Sequence, residues 1–199
     1  MVKPLKCHEA LERIEDPAEL PVSLTEAKAH MRVTSSAEDA FIRSSLDAAV
    51  SFVDGMGVLG RAMVTQKWRQ YAPPNPGTVR LKIATVQTVT KIGYYDPDGA
   101  EQTATLAEFD VFGNGEASTV QPKPGNSWPA TQQRPDAIWV EYEAGYGAAA
   151  DVPPEIKHAI KMLTAHYEYQ RVNSTEKPLS DVPFGFSDLI GAHRVSWYG

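Results

Sequence analysis

The sequence predicts an α+β fold, with helical segments near both ends of the 199-residue chain and a β-rich middle. Three observations carry this. Apolar residues recur at helical spacing over 37–55 and again over 154–171. Between 64 and 146 the pattern changes to alternation rich in Val, Ile, Thr, Tyr and Trp, as in an antiparallel sheet or small sandwich. Within that stretch Asp96-Pro97-Asp98-Gly99 is a strong hairpin turn, with proline presetting φ and glycine accepting a positive one.

Taken in order, residues 1–22 read as an extended N-terminal arm punctuated by Pro4, Pro17 and Pro21. Ser23-Leu24-Thr25-Glu26 is a capping box, which starts a short helix over 24–31. Ser36, with Asp39 three residues on, marks a second start, and Phe41, Ile42, Leu46, Ala49, Val50 and Val53 form its apolar stripe. Small residues, among them Ser44, Ala48 and Ser51, allow another helix to approach closely. Gly55 and Gly57 supply the stop. Strands are expected at 64–71, 79–83, 86–95, 109–112, 117–121 and 137–146. The prolines at 122, 124, 129 and 135 bracket a loop holding Trp128. Asp151, followed by Pro153 and Pro154, opens the last long helix, with Ile156, Ala159, Ile160, Leu163 and Tyr167 on its buried face. The organisation is thus an arm (1–22), helical segments at 23–63 and 151–172, a β-rich section (64–150) and a C-terminal tail (173–199).

Composition narrows the function. Hydrophobic residues make up 42% and charged residues 22%, ordinary for a globular protein. The formal charge of −6 argues against gripping nucleic acid over a broad face, which needs clustered Lys and Arg. A single cysteine, Cys7, forms no internal disulfide and fits a reducing, cytoplasmic setting. The N-terminal stretch lacks the apolar core of a signal peptide, and no run is long and apolar enough for a membrane span.

Candidate chemistry fails on order and spacing. Gly55-Met56-Gly57-Val58-Leu59-Gly60 matches the dinucleotide fingerprint, but there a strand precedes the glycines and a helix follows. Here the order is reversed, so the motif reads as a helix stop. His158 and His166 stand two turns apart, about 12 Å along a helix axis, too far to share one ion. Glu141 and Glu143 share one face of a strand and read as a solvated polar face. No serine-nucleophile signature is present. The expectation is no catalytic residue, no metal and no cofactor. Trp128 and the terminal Trp197-Tyr198 pair are the aromatics hardest to assign to a core, and a partner contact is expected at the terminal pair.

LPVSLTEAKAHMRV (20–33), the segment SAEDAFIRSSLDAAVSFVDGMGVLGRAMVTQKWRQ (36–70), KIGYYDPDGAEQT (91–103) and EYEAGYGAAADVPPEIKHAIKMLTAHYEYQR (141–171) occur in that order. As an ordered set they resemble the phage head–tail connector (adaptor) family, which includes the adaptor of phage-like gene transfer agents. The resemblance covers roughly residues 20–171. It implies a ring, a dodecamer in the particle, docked on a portal protein and meeting a tail-side stopper or terminator protein. DNA would pass through its channel without specific binding, and an acidic subunit suits that, since it repels phosphates. The helices near 24–31, 37–55 and 154–171 would form a bundle that walls the ring, with the β section as an insertion. Phe186, Leu189, Ile190, Trp197 and Tyr198 would dock on the portal, and Ser44, Ala48 and Ser51 would face ring neighbours. The protein would assemble in the cytoplasm and leave in the released particle. A β-sandwich module binding a ligand or protein through Trp128 is the alternative.

Overall fold

The computed structural model describes residues 11–113, 118–169 and 185–195. The chain divides into two compact units, residues 1–18 with 65–145 and residues 19–64 with 146–199. The class is mixed α and β, with four helices and two antiparallel sheets among the described residues.

The second unit is helical. Its first helix, α1 (Leu24–Met31), starts where the capping box predicts: Ser23 Oγ accepts from the Glu26 N–H, and the Glu26 carboxylate accepts from the Ser23 N–H at 2.8 Å. That reciprocal bonding holds the Glu26 carboxyl below its usual range. Helix α2 (Asp39–Val53) is shorter than the expected 37–55 at both ends. Ser36 does not cap it; Glu38 stands at the cap position with no side-chain cap bond, and the first turn is tied down by the Lys28–Asp39 ion pair. At the other end Gly57 is required, because a Cβ there would lie 2.3 Å from the Phe52 carbonyl oxygen.

Helix α3 (Pro154–Tyr169) has proline in its first turn as expected, and residues 170–171 lie outside the described set. Asp151 does not cap α3. Its carboxylate accepts instead from the Ala148 N–H at 2.9 Å, closing a short 3-10 turn before the helix. α1, α2 and α3 bury one core, with Leu46, Ala49, Val50 and Val53 of α2 and Ile156, Ala159, Ile160 and Leu163 of α3 at its centre. A fully buried side chain of this kind contributes about 1.5–3 kcal/mol, so this seam is the main support of the unit. A fourth helix, α4 (Phe186–Gly191), closes the core with Phe186 and Ile190. The part of the expected tail over 186–191 is therefore a packed helix.

The first unit is made of strands. β2 (Gln66–Ala72) alternates buried and half-buried residues along its whole length. It pairs with β8 (Ile138–Ala144), which pairs in turn with β4 (Val86–Tyr95). β1 (Leu11–Glu15) adds antiparallel to β2, and β5 (Glu101–Thr103) to β4, giving the order β1-β2-β8-β4-β5. The expected arm is thus corrected: residues 11–15 form an edge strand, held by Lys67–Glu15 at 3.1 Å and Arg13–Gln66 at 3.1 Å. A smaller sheet has the order β3-β7-β6, from β3 (Val79–Arg80), β7 (Thr119–Pro122) and β6 (Phe109–Phe112).

The expected strand at 79–83 shrinks to two residues. Leu81 and Ile83 are still fully buried, and buried Gln70 joins this segment to β2 through the Arg80 carbonyl and the Lys82 N–H. The Asp96–Gly99 turn forms as read, with Gly99 at φ 85° and the Gly99 N–H donating to the Asp96 carbonyl.

Trp128 corrects another expectation. It is 6% exposed, stacks at 4.9 Å on Phe109, and donates its indole N–H to the Gly77 carbonyl at 2.8 Å. Trp139 is packed still harder, beside Tyr95 at 5.1 Å and directly opposite Gly93. A Cβ on Gly93 would fall 2.2 Å from the indole ring. Gly93→Ala should therefore destabilise the protein by about 1–3 kcal/mol, as overpacking does. Denaturant unfolding followed by tryptophan fluorescence measures it, and an unchanged midpoint would show that the indole has room to move.

Candidate assembly surfaces

Helix α2 presents two stripes. One turns Ile42, Leu46, Ala49 and Val53 into the core. The other, offset by a residue, leaves Phe41, Ser44, Ala48, Ser51 and Phe52 exposed, and Met56 extends it past the helix end. Phe41 is 43% exposed, which corrects its expected place on the buried face, while Ser45 is buried in its stead. Ser44, Ala48 and Ser51 thus stand together on one solvent-facing strip with phenylalanine at both ends. Small residues let a neighbouring backbone come close, and flanking aromatics supply the area that such a contact buries.

The C-terminal candidates separate. Phe186 is 2% exposed and Ile190 4%, both inside the core, and Leu189 packs against it half-buried. Phe186 also meets Phe52 at 6.1 Å. These side chains are committed to the subunit itself and do not form a free docking face. Past α4 the Val195 N–H donates to the Leu59 carbonyl at 3.0 Å. Trp197 and Tyr198 lie outside the described residues.

Among the described residues, the glycines, glutamates and histidines that could carry chemistry do not come together in one site. The glycines at 55–60 follow α2 as a turn, the reverse of a nucleotide loop, and Asp54 accepts from the Met63 N–H within that turn at 2.8 Å. Glu141 receives two donors from Arg69, at 3.1 and 2.8 Å, and Glu143 faces Lys67 at 3.9 Å. Arg69 and Lys91 both lie over the Trp139 ring at 5.9 Å, and Lys91 reaches Glu101 at 3.7 Å. The Tyr71 hydroxyl first, and Glu141 after it, hold the Arg69 guanidinium above its usual range. Glu141, Glu143 and Glu101 on this face each stand beside a cation, so the face carries ion pairs over an aromatic floor. Among the described residues no group of three or more His, Cys, Asp or Glu could hold a metal, and no helix is long and apolar enough to cross a membrane.

Comparison with known proteins supplies what the chemistry does not. The sequence model of a family described as head completion protein matches residues 22–180, most of the chain and parts of both units. The chain belongs to the head completion protein family. The resemblance read from its ordered segments is the same relationship.

Solved structures share the fold. A chain in the neck of an empty gene transfer agent (GTA) particle, computed with C6 symmetry, aligns with a TM-score of 0.76 at 21% identity, covering 96% of this chain and 97% of that one. A chain in the virion of the native GTA particle gives 0.76 at 21%, over 95% and 97%. A chain in the native GTA neck, computed with C12 symmetry, gives 0.70 at 18%, over 96% and 97%. No curated protein matches the chain.

One titratable pair stands out in the helical unit of this head completion protein. His30 of α1 and His158 of α3 meet edge to face, with ring centroids 5.5 Å apart. Burial first, then His158 and Lys161, hold His30 below its ordinary value of 6.5. The folded chain therefore prefers a neutral imidazole and binds fewer protons than the unfolded chain once pH falls below about 6.5. The stability contributed by neutral His30 is complete above that value and is lost as pH drops through the lowered one. Thermal unfolding from about pH 7.5 to about pH 5 should show that loss, and His30→Gln should reduce the slope. An identical slope in the variant would assign the pH dependence to other groups.

Proposed function

We propose that this chain is the structural adaptor of a phage-like head–tail junction. Copies close a ring between portal and tail and extend the channel through which DNA leaves, with no catalytic role. The carrying observation is the family match over residues 22–180, which spans the helical unit from the start of α1 to beyond α3. The symmetric necks that hold chains of the same fold support a ring, and a dodecamer is the number that suits a twelve-fold portal. In this reading α1, α2 and α3 form the bundle that walls the ring, and the strand unit is its insertion.

Three features of the subunit support the details. The strip of Ser44, Ala48 and Ser51, lying beside Phe41 and Phe52, is the face proposed for the next subunit, because a heterologous contact needs an exposed patch unlike its own counterpart. Trp197 and Tyr198 are proposed to dock on the portal. Phe186, Leu189 and Ile190, placed among the docking residues from sequence, are proposed to act by anchoring α4, so that the chain after Val195 starts from a fixed point. The net charge of −6 suits a conduit that DNA crosses without sticking. A stopper or terminator protein would meet the tail side. Assembly would take place in the cytoplasm, before release in the particle.

The binding-module alternative loses its anchor, since Trp128 is buried with its N–H satisfied. Two changes test the adaptor reading together in cells that produce the particle. Ala48→Glu places a charge in the middle of the proposed ring contact, and deletion of 196–199 removes the aromatic pair without touching Phe186 or Ile190. Both purified variants should melt within about 1 °C of the parent, since surface changes of this kind cost under about 0.5 kcal/mol. Both should leave heads without tails in electron micrographs. Normal tailed particles from Ala48→Glu would rule out the α2 face, and normal particles from the deletion would rule out the terminal docking.

A further inference from the structure

The chain beyond α4 is delivered to one place on the helical unit. His193 lies 3.8 Å from Glu155, and the Val195 N–H donates to the Leu59 carbonyl at 3.0 Å. Leu59 belongs to the turn that ends α2. That turn folds back on the last residues of the helix: the Gly57 N–H donates to the Asp54 carbonyl and the Val58 N–H to the Phe52 carbonyl, both at 2.9 Å. Val195 and Phe52 are thus joined by two hydrogen bonds and the single peptide link between Val58 and Leu59.

An apolar patch stands at this turn. Phe52 is 40% exposed and Met56 67% exposed. Behind Phe52 lies the buried ring of Phe186 at 6.1 Å, and half-buried Val58 packs on the same core. The patch is therefore backed by the seam of the unit.

We propose that Trp197 and Tyr198 of the same chain cover Phe52 and Met56 while the subunit stands outside the particle. The reach is sufficient, because the two residues follow Val195 by two and three positions, about 7–10 Å of extended chain before their side chains are counted. The chemistry matches as well. An aromatic ring packs well on phenylalanine and takes a methionine thioether at its edge, while the indole N–H and phenol O–H stay in water at the rim. Tethering favours the chain's own tail over a second copy. A short tether supplies an effective concentration of about a millimolar, at which even a contact of millimolar strength forms in a large share of subunits.

One consequence rests on the adaptor reading. Phe52 and Met56 close one end of the strip proposed for the next subunit, and Trp197 with Tyr198 is the pair proposed for the portal. The portal would draw the pair off the patch and uncover the ring contact, so that subunits close a ring on the portal and not before it.

A full-length chain with Cys7→Ser, Met56→Cys and Gly199→Cys keeps both aromatics and tests the contact. Mild oxidation of the dilute chain should give a crosslinked monomer on a non-reducing gel. It should form at least about tenfold faster than in a control with Ser36→Cys, before the other end of the 15-residue α2, in place of Met56→Cys. Acrylamide quenching of tryptophan fluorescence reads the same contact without cysteines, because Trp68, Trp128 and Trp139 are buried. Met56→Ser should raise the quenching, and should not do so in a chain that also carries Trp197→Phe. Crosslinked dimers without crosslinked monomers would overturn the proposal in favour of a second copy. Equal crosslinking in the control, or quenching that Met56→Ser leaves unchanged, would overturn it outright. Mixed with portal, the oxidised chain should add no layer and the reduced chain should add one. Docking of the oxidised chain would contradict the shielding. A reduced chain that adds no layer counts against the adaptor reading, and the same-chain crosslink still decides the contact.

Discussion

The contact on which the helical unit depends is the seam between α2 and α3. Leu46, Ala49, Val50 and Val53 meet Ile156, Ala159, Ile160 and Leu163 with almost no exposure. Because α2 has one face committed to that seam, its next stripe is necessarily turned to solvent, and that stripe carries Phe41, Ser44, Ala48, Ser51 and Phe52. Core and candidate interface are therefore consequences of one helix orientation. α4 follows from the same seam, since Phe186 and Ile190 close the core that α2 and α3 leave open at its side, with Phe186 reaching Phe52. A substitution that rotates α2 would be expected to disturb all three together.

The strand unit rests on a different constraint. β8 lies between β2 and β4, and its two faces have separate work. Ile138, Val140, Tyr142 and Ala144 are buried on one side, and burial pushes the Tyr142 hydroxyl well above its usual range while the Ile83 N–H is donated to it. On the other side Trp139 is covered by Arg69 and Lys91, with Glu141 and Glu101 balancing their charge. Glu141 meets Arg69 and Glu143 meets Lys67, so both glutamates of this face stand beside cations.

Local signals were legible in the sequence, and long-range ones were not. The Ser23–Glu26 box, the α3 stripe, the Asp96–Gly99 turn and the span of β4 all depend on neighbours within a few residues, and all appear as read. β1 could not be read, because Leu11–Glu15 has no alternating apolar pattern and becomes a strand only by pairing with Gln70 to Lys67. Trp128 looked exposed because prolines surround it, yet Phe109 and the Gly77 carbonyl, both distant in sequence, satisfy it. Phe41 fits the helical spacing of the stripe, yet it is 43% exposed beside fully buried Ile42. For the candidate surfaces, Ser44, Ala48 and Ser51 were visible as small residues at helical spacing. The commitment of Phe186 and Ile190 to the core was not, since nothing local marks which side of a six-residue helix a distant seam will cover.

Family membership and fold converge on a subunit whose work is contact, and the central claim is that copies of it close a ring on a portal. Single-particle imaging of the purified chain mixed with its portal protein, without imposed symmetry, tests this directly. A connector would add one continuous layer of density to the portal, repeating with the portal's own rotational symmetry and open along the axis. Portal particles with no added layer, while the chain stays monomeric in the same mixture, would contradict it.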